Sequence, residues 1–335
     1  MTATQTKIHT VTGTIDASAL GRTLTHEHLQ IGWPGWDSDS LRPGPKRDEI
    51  LAVALDRVRE IQDHGVKTMI DPCPNDLGRD PELMAEVSVK TGLQIICATG
   101  LYKEDQGGAP YWKFRAGFGA GPESIAEMFI RDLTVGIGET GIKAGIIKVA
   151  TGAPAITDYE RTILVAAAMA SKETGAPITT HTDEGILGDE QQKILTENGV
   201  PAHRIIIGHS CGSADTDYHL RIARQGSYLG FDRFGIVIFQ PDEVRIASLV
   251  KLLEAGAGDR IVVSHDSVWC WRGEPLPDPG PFAAMLETWT PSHFFARIVP
   301  KLREAGATDE QIERLVVDNP RRFFSGQPLP DMSAA

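Results

Sequence analysis

Between residues 20 and 317 the chain alternates short apolar runs with amphipathic stretches of helical period, the pattern of repeated strand-helix units joined into a parallel sheet. Eight apolar runs recur, at 22–29, 67–72, 93–102, 144–151, 177–182, 204–210, 227–234 and 260–268. Stretches of helical period follow at 46–64, 80–91, 122–138, 157–175, 189–198, 218–225, 241–255 and 292–305, with a terminal helix at 309–317. Gly65 and Gly92 mark helix ends, and Thr157 with Asp158 marks a helix start. Ile146, Ile147 and Val149 sit side by side without a polar alternation, as in a strand covered on both faces. Eight such units close into an α/β fold of the (β/α)8 kind, a TIM barrel. An open doubly wound sheet would carry a Gly-rich phosphate turn after its first strand, and neither GxGxxG nor GxxxxGK[ST] occurs. Residues 1–335 are expected to form one domain, with 1–19 as an extension capping the barrel and 326–335 as a flexible tail. The loops after the third and eighth strands are the longest; with Trp112, Trp269, Trp271 and Pro277 they are expected to roof the active-site face.

Composition narrows the function. At 335 residues and 41% hydrophobic content the chain can bury a full-sized core. Its 33 Lys and Arg against 45 Asp and Glu give a net charge of −12, with no concentrated block of one sign, which disfavours nucleic-acid binding. The polar start and the lack of any apolar run of about 18 residues predict neither signal peptide nor membrane span, hence a cytoplasmic protein. Cys73, Cys97, Cys211 and Cys270 are far apart and form no CxxC pair, so they read as small buried hydrophobes.

Lys148, at the end of the fourth apolar run, changes the picture because a buried cation needs a chemical reason. It could carry its ammonium out to solvent, act as a desolvated amine forming a Schiff base, or add carbon dioxide and become an anionic bidentate ligand. The other strand ends decide. In such a barrel catalytic residues sit at the C-terminal ends of the strands. His26 and His28, two apart, face one site from the first strand. His181 ends the fifth, His209 the sixth and Asp266 the eighth. Four imidazoles and a carboxylate exceed what one catalytic ion needs, so two divalent ions are implied, with zinc, cobalt, manganese or iron all acceptable to this donor set. Two cations would repel an ammonium at Lys148 and stabilise a carbamate, and a Schiff base has no use for four imidazoles.

These motifs, His26-Glu27-His28, Gly145-Ile146-Ile147-Lys148-Val149-Ala150-Thr151, Thr180-His181-Thr182 and Gly208-His209 in this order, resemble the phosphotriesterase family of the amidohydrolase superfamily, and within it the phosphotriesterase-like lactonases. The resemblance runs from Val11-Thr12-Gly13-Thr14-Ile15 to Asp318-Asn319-Pro320. It implies a binuclear metal centre at the C-terminal face of the strands, with the buried ion on His26, His28 and Asp266 and the more exposed one on His181 and His209. Lys148, as a carbamate, and a hydroxide would bridge them; the hydroxide attacks, and Asp266 passes its proton to the leaving alkoxide. Tyr102 and Arg233 match the tyrosine and arginine that face the metals in members that open lactone rings. The implied substrate is thus a small neutral lactone, an N-acyl homoserine lactone of the quorum-quenching kind or a related γ/δ-lactone, with organophosphate triesters as a side activity. Phosphotriesterases acting on paraoxon place a histidine where Arg233 stands and an aspartate relay after strand six, where this chain has Cys211-Gly212-Ser213-Ala214. A dedicated phosphotriesterase and a non-catalytic metal-binding protein are the alternatives. The resemblance also implies a homodimer, with Trp33-Pro34-Gly35-Trp36 either at the contact or at the pocket lip, and Trp269 and Trp271 walling an apolar acyl pocket.

Overall fold

The computed structural model describes residues 7–332 apart from 277 and 279, so Pro277 lies outside the described residues. An antiparallel hairpin, β1 (Lys7–Thr10) and β2 (Gly13–Asp16), precedes the apolar runs, which form β3 (Arg22–Leu24), β4 (Glu27–His28), β5 (Val66–Asp71), β6 (Gln94–Leu101), β7 (Ile146–Thr151), β8 (Ile178–Thr182), β9 (Ile205–Ile207), β10 (Tyr228–Phe231), β11 (Ile261–Val263) and β12 (Ser267–Val268). Eight of them lie in the parallel order β11-β10-β9-β8-β7-β6-β5-β3. The helices α1 (Arg47–Asp63), α2 (Pro81–Thr91), α3 (Ala109–Ala116), α4 (Pro122–Thr134), α5 (Asp158–Thr174), α6 (Gly188–Glu197), α7 (Thr216–Arg224) and α8 (Asp242–Glu254) flank the sheet, giving the (β/α)8 barrel that the periodicity predicts. Helix α5 starts where its capping residues stand: Thr157 Oγ1 accepts from the Glu160 amide at 3.2 Å, and Glu160 Oε2 accepts from the Thr157 amide at 3.0 Å.

The first and eighth strands differ from the continuous runs expected. Each breaks in two, and the second halves, β4 and β12, pair with one another beyond the barrel sheet. Side chains close the gap between β3 and β11. The His26 amide donates to Ser264 Oγ at 2.9 Å, and Thr25 Oγ1 donates to the Val263 carbonyl at 3.3 Å. Helix α3 was not expected in the loop after the third strand, whose Gly and Pro content reads as irregular. The stretches at 292–305 and 309–317 each contain a π-helical turn, Phe294–Ile298 and Arg314–Asp318, and the second runs on into Asn319–Ser325.

Alternation along the strands splits the core into two layers. Outward-facing Ile147, Val149, Ile178 and Ile207 pack under the helices, while inward-facing Ile70, Ile96, Ala98, Ile146, Ile206, Tyr228 and Val262 fill the barrel interior. Ile8, Ala17 and Leu20 close that interior from below, together with Phe323 and Phe324. The interior is thereby filled at the floor and free only at the strands' C-terminal ends. Within 326–335, expected as a flexible tail, Leu329 packs on the interior cluster and the Pro330 carbonyl accepts from Arg260. Residues 333–335 are outside the described part. Gly100 illustrates how tight the sheet is, because a Cβ there would stand 1.7 Å from the Lys148 carbonyl oxygen. Among the described residues no helix is long and apolar enough to cross a membrane.

Candidate metal centre

The residues singled out at the strand ends meet at one mouth. His26 and His28 come from the first strand, Lys148 from β7, His181 from β8, His209 from just beyond β9 and Asp266 from between β11 and β12. His26, His28, Lys148, His181 and His209 are all buried. His209 and Asp266 hold left-handed backbone, φ 59° and 51°, a conformation uncommon for residues other than glycine, and it turns each side chain inward. Asp266 Oδ1 lies 3.4 Å from His26 Nε2 and 3.2 Å from His28 Nε2, and Oδ2 lies 3.7 Å from His209 Nε2. Lys148 Nζ stands 3.0 Å from His26 Nε2. The His181 and His209 rings are 4.6 Å apart, edge to face.

Carboxylates stand on the outer side of all four rings, within hydrogen-bond contact of His209 and His181 and only near His26 and His28. Asp232 Oδ1 is 2.9 Å from His209 Nδ1, and its Oδ2 is 3.3 Å from His26 Nδ1. Asp71 Oδ1 is 3.5 Å from His28 Nδ1, and Asp183 Oδ1 is 2.8 Å from His181 Nε2. A carboxylate behind an imidazole keeps the proton on the outer nitrogen and leaves the inner one as a lone-pair donor, which is how metal-binding histidines are set. The inner nitrogens of His26, His28 and His209 thus converge on the Asp266 carboxylate, a donor set that fits divalent cations, and the His181 ring stands beside that of His209. His26, His28 and Asp266 form one group whose donor atoms all lie within 4.8 Å of one another, and His26, His209 and Asp232 another. Cys73, read as a small buried hydrophobe, is fully buried, and it falls beside His28 and Asp71 in a third such group.

Sequence reasoning missed Asp71, Asp183, Asp232 and Glu27. The signal was present as a carboxylate at or just after a strand end in Ile70-Asp71, Thr182-Asp183 and Phe231-Asp232. Room for Asp232 is made by Gly230, where a Cβ would come 2.4 Å from Asp232 Oδ2.

Electrostatics favour the ligand form at His26 and Asp266 but not at His28, where burial acts downward and the hydrogen bonds to Asp266 and Asp71 outweigh it, raising the ring well above its usual value. Burial, reinforced by Lys148, pushes His26 down to about 3, so its ring is neutral. Burial also lowers Lys148 to about 8. For Asp266 burial acts upward, but His209, His26 and Arg233 outweigh it and hold the carboxyl well below its usual range. Arg233 Nε donates to Asp266 Oδ2 at 2.9 Å, and its guanidinium lies over Phe239, 5.4 Å from the ring centre. Tyr102 is buried with its hydroxyl 3.2 Å from His181 Nδ1.

Above the mouth opens a cavity of about 570 Å³ whose wall includes Trp33, Leu77, Ile236, Phe239, Trp271 and Trp289. Trp271 lines it as expected. Trp269 does not, because its Nε1 donates inward to Ser267 Oγ at 2.9 Å. Trp33 faces the cavity, whereas Trp36 stacks on Arg272 at 4.2 Å. Cys211-Gly212-Ser213-Ala214 serves packing: Gly212 lies so close to the Glu184–Gly185 backbone that a Cβ would come 2.7 Å from the Glu184 carbonyl carbon.

The loop carrying Ile236 and Phe239 is clamped by Asp242 and Arg245. Asp242 Oδ1 accepts from the Gly235 amide at 3.1 Å and from Arg245 Nη1 at 3.0 Å, its Oδ2 lies 2.8 Å from His293 Nε2, and Arg245 Nη2 donates to the Ile236 carbonyl at 2.9 Å. Burial would raise the Asp242 carboxyl, but His293, the Gly235 amide and Arg245 together hold it below the usual range. With the folded-state value the lower one, its contribution is complete above the unfolded value and is lost as pH falls through the folded one. Asp242→Asn is expected to cost about 1–3 kcal/mol at pH 7. Thermal unfolding should show the gap to wild type closing below about pH 4, and a gap independent of pH would contradict the clamp.

The family model described as the phosphotriesterase family matches residues 6–324. A curated relative, the phosphotriesterase homology protein of Mycobacterium tuberculosis, is 39% identical over 325 residues, covering 96% of this chain and 98% of its own length. Among solved structures, an organophosphorus hydrolase from Deinococcus radiodurans superposes with a TM-score of 0.92 at 42% identity, covering 96% and 97% of the two chains. A mutant phosphotriesterase-like lactonase from the same organism superposes with a TM-score of 0.91 at 42% identity, covering 95% and 99%.

Proposed function

The chain belongs to the phosphotriesterase family, is a hydrolase acting on ester bonds, and, we propose, is a lactonase that opens N-acyl homoserine lactones or related γ/δ-lactones, with slower hydrolysis of organophosphate triesters. The observation that carries this reading is the pair of donors flanking the mouth, Arg233 against Asp266 on one side and Tyr102 against His181 on the other, beneath an apolar cavity.

His26, His28 and Asp266 would hold one divalent ion and His181 with His209 the other, with Lys148 as a carbamate joining both; zinc, cobalt, manganese or iron suits these ligands. Bound there, such ions activate water and polarise an ester oxygen. The low value of Lys148 leaves a usable fraction of neutral amine, the form that adds carbon dioxide. Burial raises the Tyr102 phenol, so its O–H stays neutral and can donate to the lactone's oxygens. Arg233 presents a fixed cation across from it. Asp266 takes the proton of the attacking water at Oδ and returns it to the leaving alkoxide, which stays tethered as the ring opens. The apolar wall of Trp33, Ile236, Phe239 and Trp271 suits an acyl tail, and a neutral substrate needs no steering charge.

The test compares kcat/KM for an N-acyl homoserine lactone and for paraoxon on one metallated preparation. The lactone is expected to be preferred; a preference for paraoxon would favour a dedicated phosphotriesterase, and turnover of neither, nor of simple esters, a metal-binding protein without this activity. Arg233→His, which replaces the planar donor by a shorter ring, is expected to move the ratio of the two kcat/KM values toward paraoxon by about tenfold or more. An unchanged ratio would mean that this position does not set substrate choice.

A further inference from the structure

Beside the mouth lies an ion pair to which the hydrolytic reading gives no task. Lys103 is only 5% exposed, and its ammonium stands 2.7 Å from Asp183 Oδ2 and 3.4 Å from Asp105 Oδ2. Burying a lysine for one or two ion pairs costs about as much as the pairs return, so stability alone does not account for it. The other oxygen of Asp183 faces His181 Nε2 at 2.8 Å, and the remaining ring nitrogen, Nδ1, lies 3.2 Å from the Tyr102 hydroxyl. Since Lys103 directly follows Tyr102, these contacts close a ring through the backbone.

Both anchor points of that ring are rigid. The Tyr102 amide donates to both Asp76 oxygens at 3.0 and 3.1 Å, and the Lys103 carbonyl accepts from the Gly107 amide at 2.8 Å. On the other side Asp183 opens a 3₁₀ turn whose Gly185 packs backbone to backbone on residues 209–213. The carboxylates behind the imidazoles differ in one respect. The Asp232 and Asp71 side chains are 1% and 0% exposed, so packing fixes them, whereas that of Asp183 is 27% exposed. A carboxylate open to water on one side can turn away from its imidazole unless something holds its second oxygen, and Lys103 is in contact with that oxygen.

We propose that Lys103 is a positioning residue for the metal centre: through Asp183 it fixes the ring of His181, and so sets the affinity for the ion that His181 and His209 would share. This rests on the metal-hydrolase reading of the same mouth, and the experiment separates the two. Purified wild-type chain, Lys103→Met, Asp183→Asn and Lys103→Arg are loaded with zinc, titrated with a chelator, and the ions remaining per chain are counted by mass spectrometry, with thermal unfolding of the metal-free proteins as the check on folding. Wild type is expected to lose two ions in two steps. In Lys103→Met and Asp183→Asn the weaker ion is expected to leave at a free-chelator level about 10–100-fold lower, with the tighter ion unmoved, while Lys103→Arg keeps the wild-type profile. A release profile of Lys103→Met equal to wild type, or equal weakening of both ions, would overturn the positioning role. Should Lys103→Met fail to fold, Lys103→Gln, which keeps part of the stem and removes the charge, decides in its place. A wild-type chain that binds no zinc would sink the metal reading itself, and this inference with it.

Discussion

Lys148→Ala is expected to lose both ions and, with them, at least about 10⁴-fold of kcat/KM, since activation of water by the ions lowers its pKa from about 15.7 toward about 7. The fold is expected to survive. Lys148 is buried on the inward side of β7 among imidazoles, and burial already disfavours its charged form, so removing the amine relieves a desolvation cost even as it opens a cavity. What the change removes is a buried group 3.0 Å from His26 Nε2 that, once carboxylated, would add a second anion to that of Asp266. Added acetate or propionate at millimolar concentration should enter the cavity and restore part of both metal content and turnover, because a free carboxylate supplies the same pair of oxygens. Elemental analysis of the purified variant checks the first half and a carboxylate titration of activity the second. Metal content equal to wild type would refute a bridging role for this residue. Loss of metal without rescue would leave Lys148 necessary but argue against a simple two-oxygen substitute.

How much of this centre could be read in the chain depends on what each residue does. His26, His28, Lys148, His181, His209 and Asp266 were legible because barrel topology puts every strand's C-terminal end at one mouth, so residues far apart in sequence fall together once the strands are counted. Tyr102 and Arg233 were legible only through resemblance, since neither a tyrosine nor an arginine at a loop start is distinctive. The carboxylates behind the imidazoles were not read. Asp71, Asp183 and Asp232 follow strands as many capping or turn residues do, and nothing local tells an acid that holds a histidine from one that faces water. The breaks in the first and eighth strands were hidden because polar residues at a strand's end, His26 to His28 and His265 to Ser267, suit a continuous strand reaching the mouth equally well, whereas β4 and β12 leave the sheet to pair with each other. Trp271 lines the cavity whereas Trp269 packs in the core under the helices, and two tryptophans of one loop look alike in sequence.

Glu27 is the residue on which that seam turns, and Glu27→Gln is expected to destabilise the chain by about 3–5 kcal/mol, the cost of breaking a buried charged network. Its carboxylate is fully buried between the two histidines of the first motif, pointing away from the mouth. Oε1 accepts from Ser264 Oγ at 2.7 Å, from the His265 amide at 3.0 Å and from His265 Nδ1 at 2.6 Å. Oε2 accepts from the Ser267 amide at 3.1 Å and from Ser267 Oγ. Every partner is a donor, so an amide of the same shape must aim its NH₂ at N–H groups on one side or the other, and no rotation relieves it. Thermal unfolding should register a fall of roughly 5–10 °C. The damage should reach the centre too, because Asp266 stands between His265 and Ser267 with its amide donating to the His26 carbonyl at 2.9 Å, and Ser264 Oγ in turn accepts from the His26 amide. Glu27 therefore fixes both sides of the pair His26 and Asp266, and the tighter ion should weaken, the reverse of the selectivity expected of Lys103→Met. Ser264→Ala, which removes one of the five donors and leaves the acid paired, should cost less on both measures. A Glu27→Gln chain that melted within about 2 °C of wild type would mean that backbone pairing alone holds the first and eighth strands together.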